Sequence, residues 1–302
     1  MKLTPAVVEE LMVRPGQRAG LDARSTSAIG AAWLDGGAGH RRELARAELA
    51  SFADDLSASQ RKLWARGSHA LLIVLQAMDA AGKDGTIRHV MSGVNPQGCS
   101  VEAFTKPGTD ELDHDFLWHA ARALPGRGMI GIFNRSHYEE VLVVRVHPEL
   151  LGRGRPVADG VPPARLWRER YEDINAFERH LHRSGTRILK IYLHVSREVQ
   201  KKRFLERLDN PDKNWKFSLD DLAERRHWDE YRVAYEDALG ATSTPWAPWY
   251  VVPADHKYAL RALVGGLVVD AIDAMDLGIP DAGPERRDAL AGARHDLLHE
   301  PD

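Results

Sequence analysis

Residues 71–91 of the 302-residue chain read LLIVLQAMDAAGKDGTIRHVM, and this stretch decides the fold. Its first seven residues are almost all apolar and rich in Leu, Ile and Val, which is typical of a strand buried on both faces of a parallel sheet. Small residues follow, and GKDGTIRHVM then reads as the start of a helix. A buried strand, a tight loop and a helix are the layout of a phosphate-binding loop.

The loop departs from the P-loop pattern G-x-x-x-x-G-K-[ST] at both ends. Gly82 and Lys83 match the pattern, but Ala77 stands at the first glycine position and Asp84 at the hydroxyl position. In the usual loop that hydroxyl binds Mg²⁺, while the Lys and main-chain N–H groups bind phosphate oxygens. Without the hydroxyl the metal needs another oxygen ligand, and a carboxylate beside a polyanion is tolerated when a divalent cation lies between them. We therefore predict Asp79 as a metal ligand and Asp84 as a weaker one.

The phosphate itself is expected to contact the loop and the first turn of the helix. The residues predicted to do so are Ala80, Ala81, Gly82, Lys83, Asp84, Gly85 and Thr86. An alternative interpretation is an ordinary strand, turn and helix in which Asp84 only complements the helix dipole.

Polar side chains also gather at the ends of two other predicted strands. The strand at 129–133 is followed directly by Asn134 and Arg135, with Glu139 close behind. An acid at this place helps to hold Mg²⁺ in P-loop proteins, and Asn134 occupies it here. Arg135 can bind phosphate with two parallel hydrogen bonds. Lys106 closes the predicted strand at 99–104, where α/β folds place ligand contacts.

Two stretches together carry a family resemblance. Residues 77–98, AMDAAGKDGTIRHVMSGVNPQG, and residues 133–149, FNRSHYEEVLVVRVHPE, resemble the polyphosphate kinase 2 family, and within it the subgroup that phosphorylates AMP as well as ADP (class III). The family's loop also carries an Asp before GK and lacks the hydroxyl after it. Asn134 matches that subgroup, whereas relatives that prefer the diphosphate have Asp there. The resemblance runs from about residue 45 to about residue 265.

The resemblance implies an activity and its cofactor. It implies an enzyme that moves the terminal phosphate of inorganic polyphosphate to AMP and ADP, with Mg²⁺, or Mn²⁺ in its place. Asp79, Lys83, Asn134, Arg135 and Glu139 are the residues we assign to catalysis. The attacking phosphate oxygen of a nucleotide is already ionised, so Glu139 is expected to orient a metal-bound water or another group rather than to act as a base. Adenine nucleotides are the expected acceptors, and guanine nucleotides are left open.

A basic segment after the fourth predicted strand is interpreted as a lid. Between residues 197 and 216 the chain has seven basic and four acidic side chains, and a local positive excess suits a lid that closes over a polyanion. Residues 209–218, DNPDKNWKFS, are similar to the family's lid segment. We select Arg203, Lys213 and Lys216 as its phosphate-binding cations.

Composition limits the class of protein. The content of 43% hydrophobic and 28% charged residues is that of a soluble globular protein. The single cysteine, Cys99, excludes an internal disulfide framework and favours the reducing cytoplasm. The net charge of -3 argues against a nucleic-acid-coating surface, and no apolar run approaches the ~20 residues that span a bilayer. We therefore expect neither nucleic acid nor membrane as a partner.

Five short strands that alternate with helices predict an α/β fold, a P-loop three-layer sandwich with a parallel sheet. The resemblance implies a thymidylate-kinase-like strand order, 2-3-1-4-5, and a homo-oligomer. We divide the chain into an N-terminal helical extension (1–68), a P-loop kinase domain (69–278) with a helical lid at about 197–226, and a C-terminal tail (279–302). Glycine and proline predict irregular connections in the first forty residues and an excursion at 151–167.

Two other functions remain open from the residues. One is an ATP-dependent nucleoside monophosphate kinase of the same fold, whose loop would be expected to carry Ser or Thr in place of Asp84. The other is a P-loop protein that binds nucleotide or polyphosphate without turnover. Such a binder would have less need of Asp79, Lys83 and Arg135 together.

Overall fold

The computed structural model describes residues 3–27, 38–106, 108–151 and 162–300. The core of the described chain is a six-stranded sheet in the order β1-β6-β5-β2-β4-β3. Its strands are β1 (Met12–Val13), β2 (Ala70–Ala77), β3 (Cys99–Ala103), β4 (Ile130–Asn134), β5 (Thr186–His194) and β6 (Trp249–Pro253). Most of the excursion predicted at 151–167 lies outside the described residues.

The five strands predicted from the sequence are all parallel to one another. Counted in chain order without β1, they lie in the predicted order 2-3-1-4-5. The prediction of a five-stranded parallel sheet was nevertheless incomplete, because β1 adds an antiparallel edge next to β6 and makes the sheet mixed. Two residues have no periodicity to detect, and the short helix α1 before them was missed as well.

The helices are α1 (Pro5–Leu11), α2 (Ala38–Arg66), α3 (Lys83–Val90), α4 (Thr109–Leu112), α5 (Trp118–Arg122), α6 (Val143–Val146), α7 (Pro163–Arg183), α8 (Arg197–Leu208), α9 (Leu219–Glu224), α10 (Trp228–Thr242), α11 (Lys257–Asp273) and α12 (Pro284–Leu298). The connection after β2 leads toward the β3 edge of the sheet, and the connection after β4 leads toward the β6 edge. Right-handed crossovers therefore place α3 and α7 on opposite faces of the sheet. No helix in the described part of the chain is long and apolar enough to cross a membrane.

The N-terminal residues pack into the core. Thr4 caps α1 with Pro5 at its first position, and the helix buries Val7 and Leu11. The long helix α2 packs along α11, which also contacts α3 and three strands. By contrast, α12 has no buried residue.

A charged pair lies inside the sandwich beneath the end of β4. Lys190 of β5 and Glu178 of α7 are 0% and 1% exposed, and Lys190 Nζ lies 2.6 Å from Glu178 Oε2. Lys190 Nζ also donates to the Tyr138 hydroxyl at 2.9 Å and to the Thr242 carbonyl at 2.6 Å. The Tyr138 hydroxyl donates in turn to Glu178 Oε1 at 2.8 Å. Because Tyr138 belongs to the 3-10 turn His137–Val141, this network anchors the turn that also carries Glu139.

Replacing one partner of this pair should destabilise the fold far more than replacing both. Lys190→Met leaves the buried carboxylate of Glu178 without a counter-charge, and the expected loss in the free energy of unfolding is about 3–5 kcal/mol. Glu178→Gln likewise leaves the buried ammonium group of Lys190 without a counter-charge. The double variant should recover much of that loss. Urea denaturation of the three variants measures this, and a double variant as unstable as the sum of the single ones would contradict the pairing.

Candidate active site

The loop between β2 and α3 has the backbone of an anion site. Gly82 caps α3 with φ 112°, in the left-handed region. A Cβ there would meet nothing closer than 3.9 Å, so the backbone conformation rather than space favours glycine. Ala80 also has a positive φ, 58°. Such conformations in a loop before a helix form concave sites lined by N–H groups.

The N-terminus of α3 points its first N–H groups into this loop, since they have no intrahelical acceptor. Lys83 is the first residue of the helix, and its Nζ donates to the Ala77 carbonyl at 3.2 Å. Burial lowers the pKa of Lys83, and the nearby carboxylate of Asp79 acts against that shift. A positive group, a helix dipole and free N–H groups thus meet at one point.

Two side-chain contacts join this loop to the end of β4. Arg135 Nη2 lies 3.2 Å from Asp79 Oδ1, and Asn134 Nδ2 donates to Asp84 Oδ1 at 2.9 Å. Arg135 has a φ of 64°, and its N–H donates to the Leu75 carbonyl at 3.1 Å. The structure therefore brings together four predicted residues from two strand ends.

Glu139 lies behind these residues. Burial raises the pKa of the Glu139 carboxyl, while Arg135 and Lys83 act in the opposite direction. The pKa of Lys83 is itself lowered by burial. Both shifts reflect partial burial of the two groups, and the opposite charges nearby favour their charged forms.

A cavity of about 690 Å³ opens beside the loop, at the carboxyl ends of the strands. Asp79, Arg135 and Glu139 line its inner end, and Lys106 also reaches it. Its wall includes apolar side chains such as Phe104, Val143 and Trp228. A charged inner end and an apolar wall suit a phosphorylated organic molecule.

Further cations lie near α3 and the start of α11. A Cβ on Gly85 would be 3.6 Å from Arg261 Nη2, so this guanidinium lies against the first turn of α3. Burial and then the charge of Arg88 lower the pKa of Arg261. Burial lowers the pKa of Lys257 as well, and among the neighbouring cations that add to the shift is Lys213. Sequence reasoning missed Arg88 and Arg261, because neither follows a strand.

The remaining predicted residues differ in their placement. Lys213 and Lys216 are exposed, and Lys216 Nζ lies 4.8 Å from the centroid of the Trp215 ring. Thr86 is 1% exposed and its hydroxyl donates to the Gly82 carbonyl at 3.0 Å, so the hydroxyl faces the helix rather than the loop mouth.

Arg203 corrects one prediction. It is 6% exposed, and its two terminal nitrogens donate to four main-chain carbonyls. Two of these carbonyls belong to the loop, at Ala80 and Ala81. The guanidinium therefore lies against the main chain of the loop, with both terminal nitrogens engaged by carbonyls rather than available to a phosphate.

The donor set at the loop fits a magnesium ion that is shared with phosphate. Within the described residues, no group of three or more His, Cys, Asp or Glu side chains could hold a metal alone. Mg²⁺ usually needs only one or two carboxylates beside substrate phosphates and water. Asp79 and Asp84 each use Oδ1 in the contacts given above, and among the described residues no side chain or main-chain group donates a hydrogen bond to Oδ2 of either.

Comparisons with known proteins agree with this geometry. Residues 40–279 match the family described as polyphosphate kinase 2. The chain is 49% identical over 260 residues to an ADP-polyphosphate phosphotransferase of Rhodopseudomonas palustris, which covers 86% of this chain and 88% of that protein. It is 45% identical over 239 residues to an AMP/ADP-polyphosphate phosphotransferase of Meiothermus ruber, covering 79% and 85%.

A solved structure extends the similarity to the whole fold. The crystal structure of polyphosphate kinase 2 from Arthrobacter aurescens TC1 superposes with a TM-score of 0.85 at 38% identity and covers 99% of both chains. With its loop, its strand-end residues and these relatives, the chain belongs to the polyphosphate kinase 2 family.

Proposed function

We propose that this protein transfers the terminal phosphate of inorganic polyphosphate to AMP and ADP, forming ADP and ATP. The observation that carries the proposal is the ion pair between Asp79 and Arg135, which lies beside Lys83 at the N-terminus of α3. The relatives named above act on polyphosphate with ADP, or with AMP and ADP, which supports the same donor and acceptors here.

The chemistry is direct in-line transfer between two phosphate groups. The terminal phosphoryl group of the donor lies against the loop, where Lys83 and the N–H groups of α3 balance charge on its equatorial oxygens. Arg135 adds a guanidinium on the acceptor side. No side chain becomes phosphorylated in this mechanism. His137, the histidine that follows the end of β4, would be the candidate for a phosphorylated intermediate, but it is 1% exposed and so shielded from a phosphoryl group.

We propose Mg²⁺ as the cofactor, with Mn²⁺ able to replace it, held by Asp79 and more weakly by Asp84. When bound, the ion neutralises phosphate charge and aligns the donor and acceptor oxygens. Glu139 orients the groups around it. The amide of Asn134 donates to Asp84 and is neutral, so the end of β4 carries no second negative charge at this place. We propose that this neutral residue suits an acceptor site that serves both AMP and ADP.

Donor and acceptor approach the loop from different sides. The cavity beside Lys106 and Arg135 takes the nucleotide, because its apolar wall suits a base. The polyphosphate chain extends along Arg88, Lys257 and Arg261 on the side of α11, where neighbouring positive charges suit a polyanion.

A helical lid covers the acceptor cavity in this proposal. Glu224, at the end of α9, accepts from the Tyr231 hydroxyl at 2.6 Å and lies 2.9 Å from His147 Nε2, on the opposite wall. Arg207 Nη1 lies 3.2 Å from Asp221 Oδ2 and links α8 to α9. Such short polar contacts can form and break as the lid moves.

The remaining assignments are also proposals. We propose that residues 69–278 form the catalytic domain, with the lid at about 197–226. We propose that the acceptors are adenine nucleotides in preference to guanine nucleotides. We also propose that the protein is a homo-oligomer located in the cytoplasm. The single cysteine of the chain supports a reducing compartment.

Purified protein supplied with Mg²⁺ and polyphosphate, without ATP, should convert AMP to ADP and then ATP. A parallel reaction with ADP should give ATP directly. Nucleotides separated by chromatography measure this. Product from ADP alone would contradict the acceptor range, and product only from ATP plus a monophosphate would replace polyphosphate by ATP as donor.

Lys83→Met should lower kcat by about 10²–10³-fold, the usual cost of losing one positioned donor to a transition-state oxygen. The matched control is Lys62→Met, which removes an exposed lysine of α2. Initial rates with saturating AMP and polyphosphate compare them. Full activity of Lys83→Met would remove the loop from the mechanism.

A further inference from the structure

Helix α8 holds the phosphate-binding loop from behind through two side chains one turn apart. Gln200 Nε2 donates to the Asp79 carbonyl at 2.9 Å. Arg203 Nη1 donates to the Ala80 and Ala81 carbonyls at 3.0 and 2.7 Å. Three consecutive carbonyls of the loop are thus bound by one helix.

This arrangement decides where the N–H groups of the loop point. In a trans peptide the C=O of one residue and the N–H of the next point in opposite directions. Fixing the carbonyls of Asp79 and Ala81 toward α8 therefore turns the N–H groups of Ala80 and Gly82 away from α8, to the phosphate side. The N–H between them, of Ala81, donates to the Met78 carbonyl at 3.3 Å.

The conformation of the loop needs such support. Ala80 has a φ of 58°, which is sparsely populated for a residue with a side chain. Residues in such regions persist when the surrounding structure over-determines them. The hydrogen bonds from α8 on both sides of Ala80 supply this constraint.

Both side chains are anchored at their other ends. Arg203 Nη2 donates to the Ala254 and Asp255 carbonyls at 2.6 and 3.1 Å, which joins the loop to the end of β6. The Asp255 carboxylate accepts from the Ser196 N–H at 2.8 Å and from the Thr26 hydroxyl at 2.7 Å. Arg203 therefore ties α8, at the start of the proposed lid, to both the loop and the residues after β6.

Gln200 lies in the first helix of the proposed lid and connects the loop to the end of that lid. Its Oε1 accepts from Arg225 Nη1, in the 3-10 turn Arg225–His227 that follows α9. The same amide that holds the Asp79 carbonyl thus contacts Arg225, at the far end of the segment we propose as the lid. A shift of Arg225 changes the contact that fixes the loop next to Asp79.

We propose that Gln200 and Arg203 are positioning residues that aim the N–H groups of the loop at the donor phosphate, and that Arg225 acts on the loop through Gln200. The proposal rests on the proposed function, in which the loop binds the donor. Neither side chain need touch substrate, since the carbonyls that they hold face away from it.

The first test is Arg203→Lys, which keeps the charge but cannot hold four carbonyls with one ammonium group. We expect kcat to fall at least tenfold and the KM for polyphosphate to rise at least threefold, with the KM for AMP unchanged. Arg165→Lys is the matched control, because Arg165 is an exposed residue of α7 whose contact is Glu169. A lower kcat with both KM values unchanged, together with a lower melting temperature, would mean a merely structural role and overturn the proposal.

The second test is a double-mutant cycle between Gln200→Leu and Arg225→Leu. If Arg225 acts through Gln200, the double variant should lose no more activity than Gln200→Leu alone. Losses in kcat/KM that multiply would overturn the coupling, because independent residues have additive effects on free energy.

Failure of the proposed function can be told apart from failure of this inference. Calorimetry with tripolyphosphate and Mg²⁺, without nucleotide, should show at least threefold weaker binding by Arg203→Lys than by the unaltered protein. If the unaltered protein uses ATP and not polyphosphate, the proposed donor is wrong, and the same variants are compared with ATP. Equal donor binding and equal KM values for that donor would then overturn the role of Arg203.

Discussion

The parallel pairing of β2 with β4 is the constraint on which the site depends. Leu75 lies opposite Asn134, so the two strands end side by side at the same edge of the sheet. The loop after β2 and the residues after β4 are thereby brought within hydrogen-bonding distance. Arg135 reaches Asp79, and Asn134 reaches Asp84. A slip of one residue in this pairing would turn the side chains of one strand to the other face of the sheet and separate these groups.

Charge of both signs is concentrated in the partly buried region where the loop meets the end of β4. Burial lowers the pKa of Lys83 and raises that of Glu139, while the opposite charges nearby limit both shifts. Such a site can bind phosphate with little reorganisation, because its charged groups are already oriented by each other. Beneath it, the buried pair of Lys190 and Glu178 holds the turn that carries Glu139. The core of the sandwich thus positions the site as well as stabilising the fold.

Much of this arrangement was predictable from short patterns. The buried strand before Gly82 and the polar residues after 133 have strong local signals, whereas the order of the five strands came from the family resemblance. The strand β1 was missed because two residues have no periodicity. Arg203 was assigned to phosphate from the positive excess of its segment and the resemblance to the family's lid, whereas its carbonyl partners come from distant segments that no spacing reveals. Arg88 and Arg261 were missed for the same reason, since only the packing of α3 against α11 brings them together.

The central claim is that the loop holds the donor phosphate while the neighbouring cavity holds the nucleotide. A crystal structure of the protein with Mg²⁺, tripolyphosphate and AMP tests this most directly. The account predicts a terminal phosphate of tripolyphosphate within hydrogen-bonding distance of Lys83 Nζ and the Gly82 N–H, Mg²⁺ on Asp79, and the AMP phosphate beside Arg135. AMP phosphate bound in the loop, with tripolyphosphate elsewhere, would contradict it.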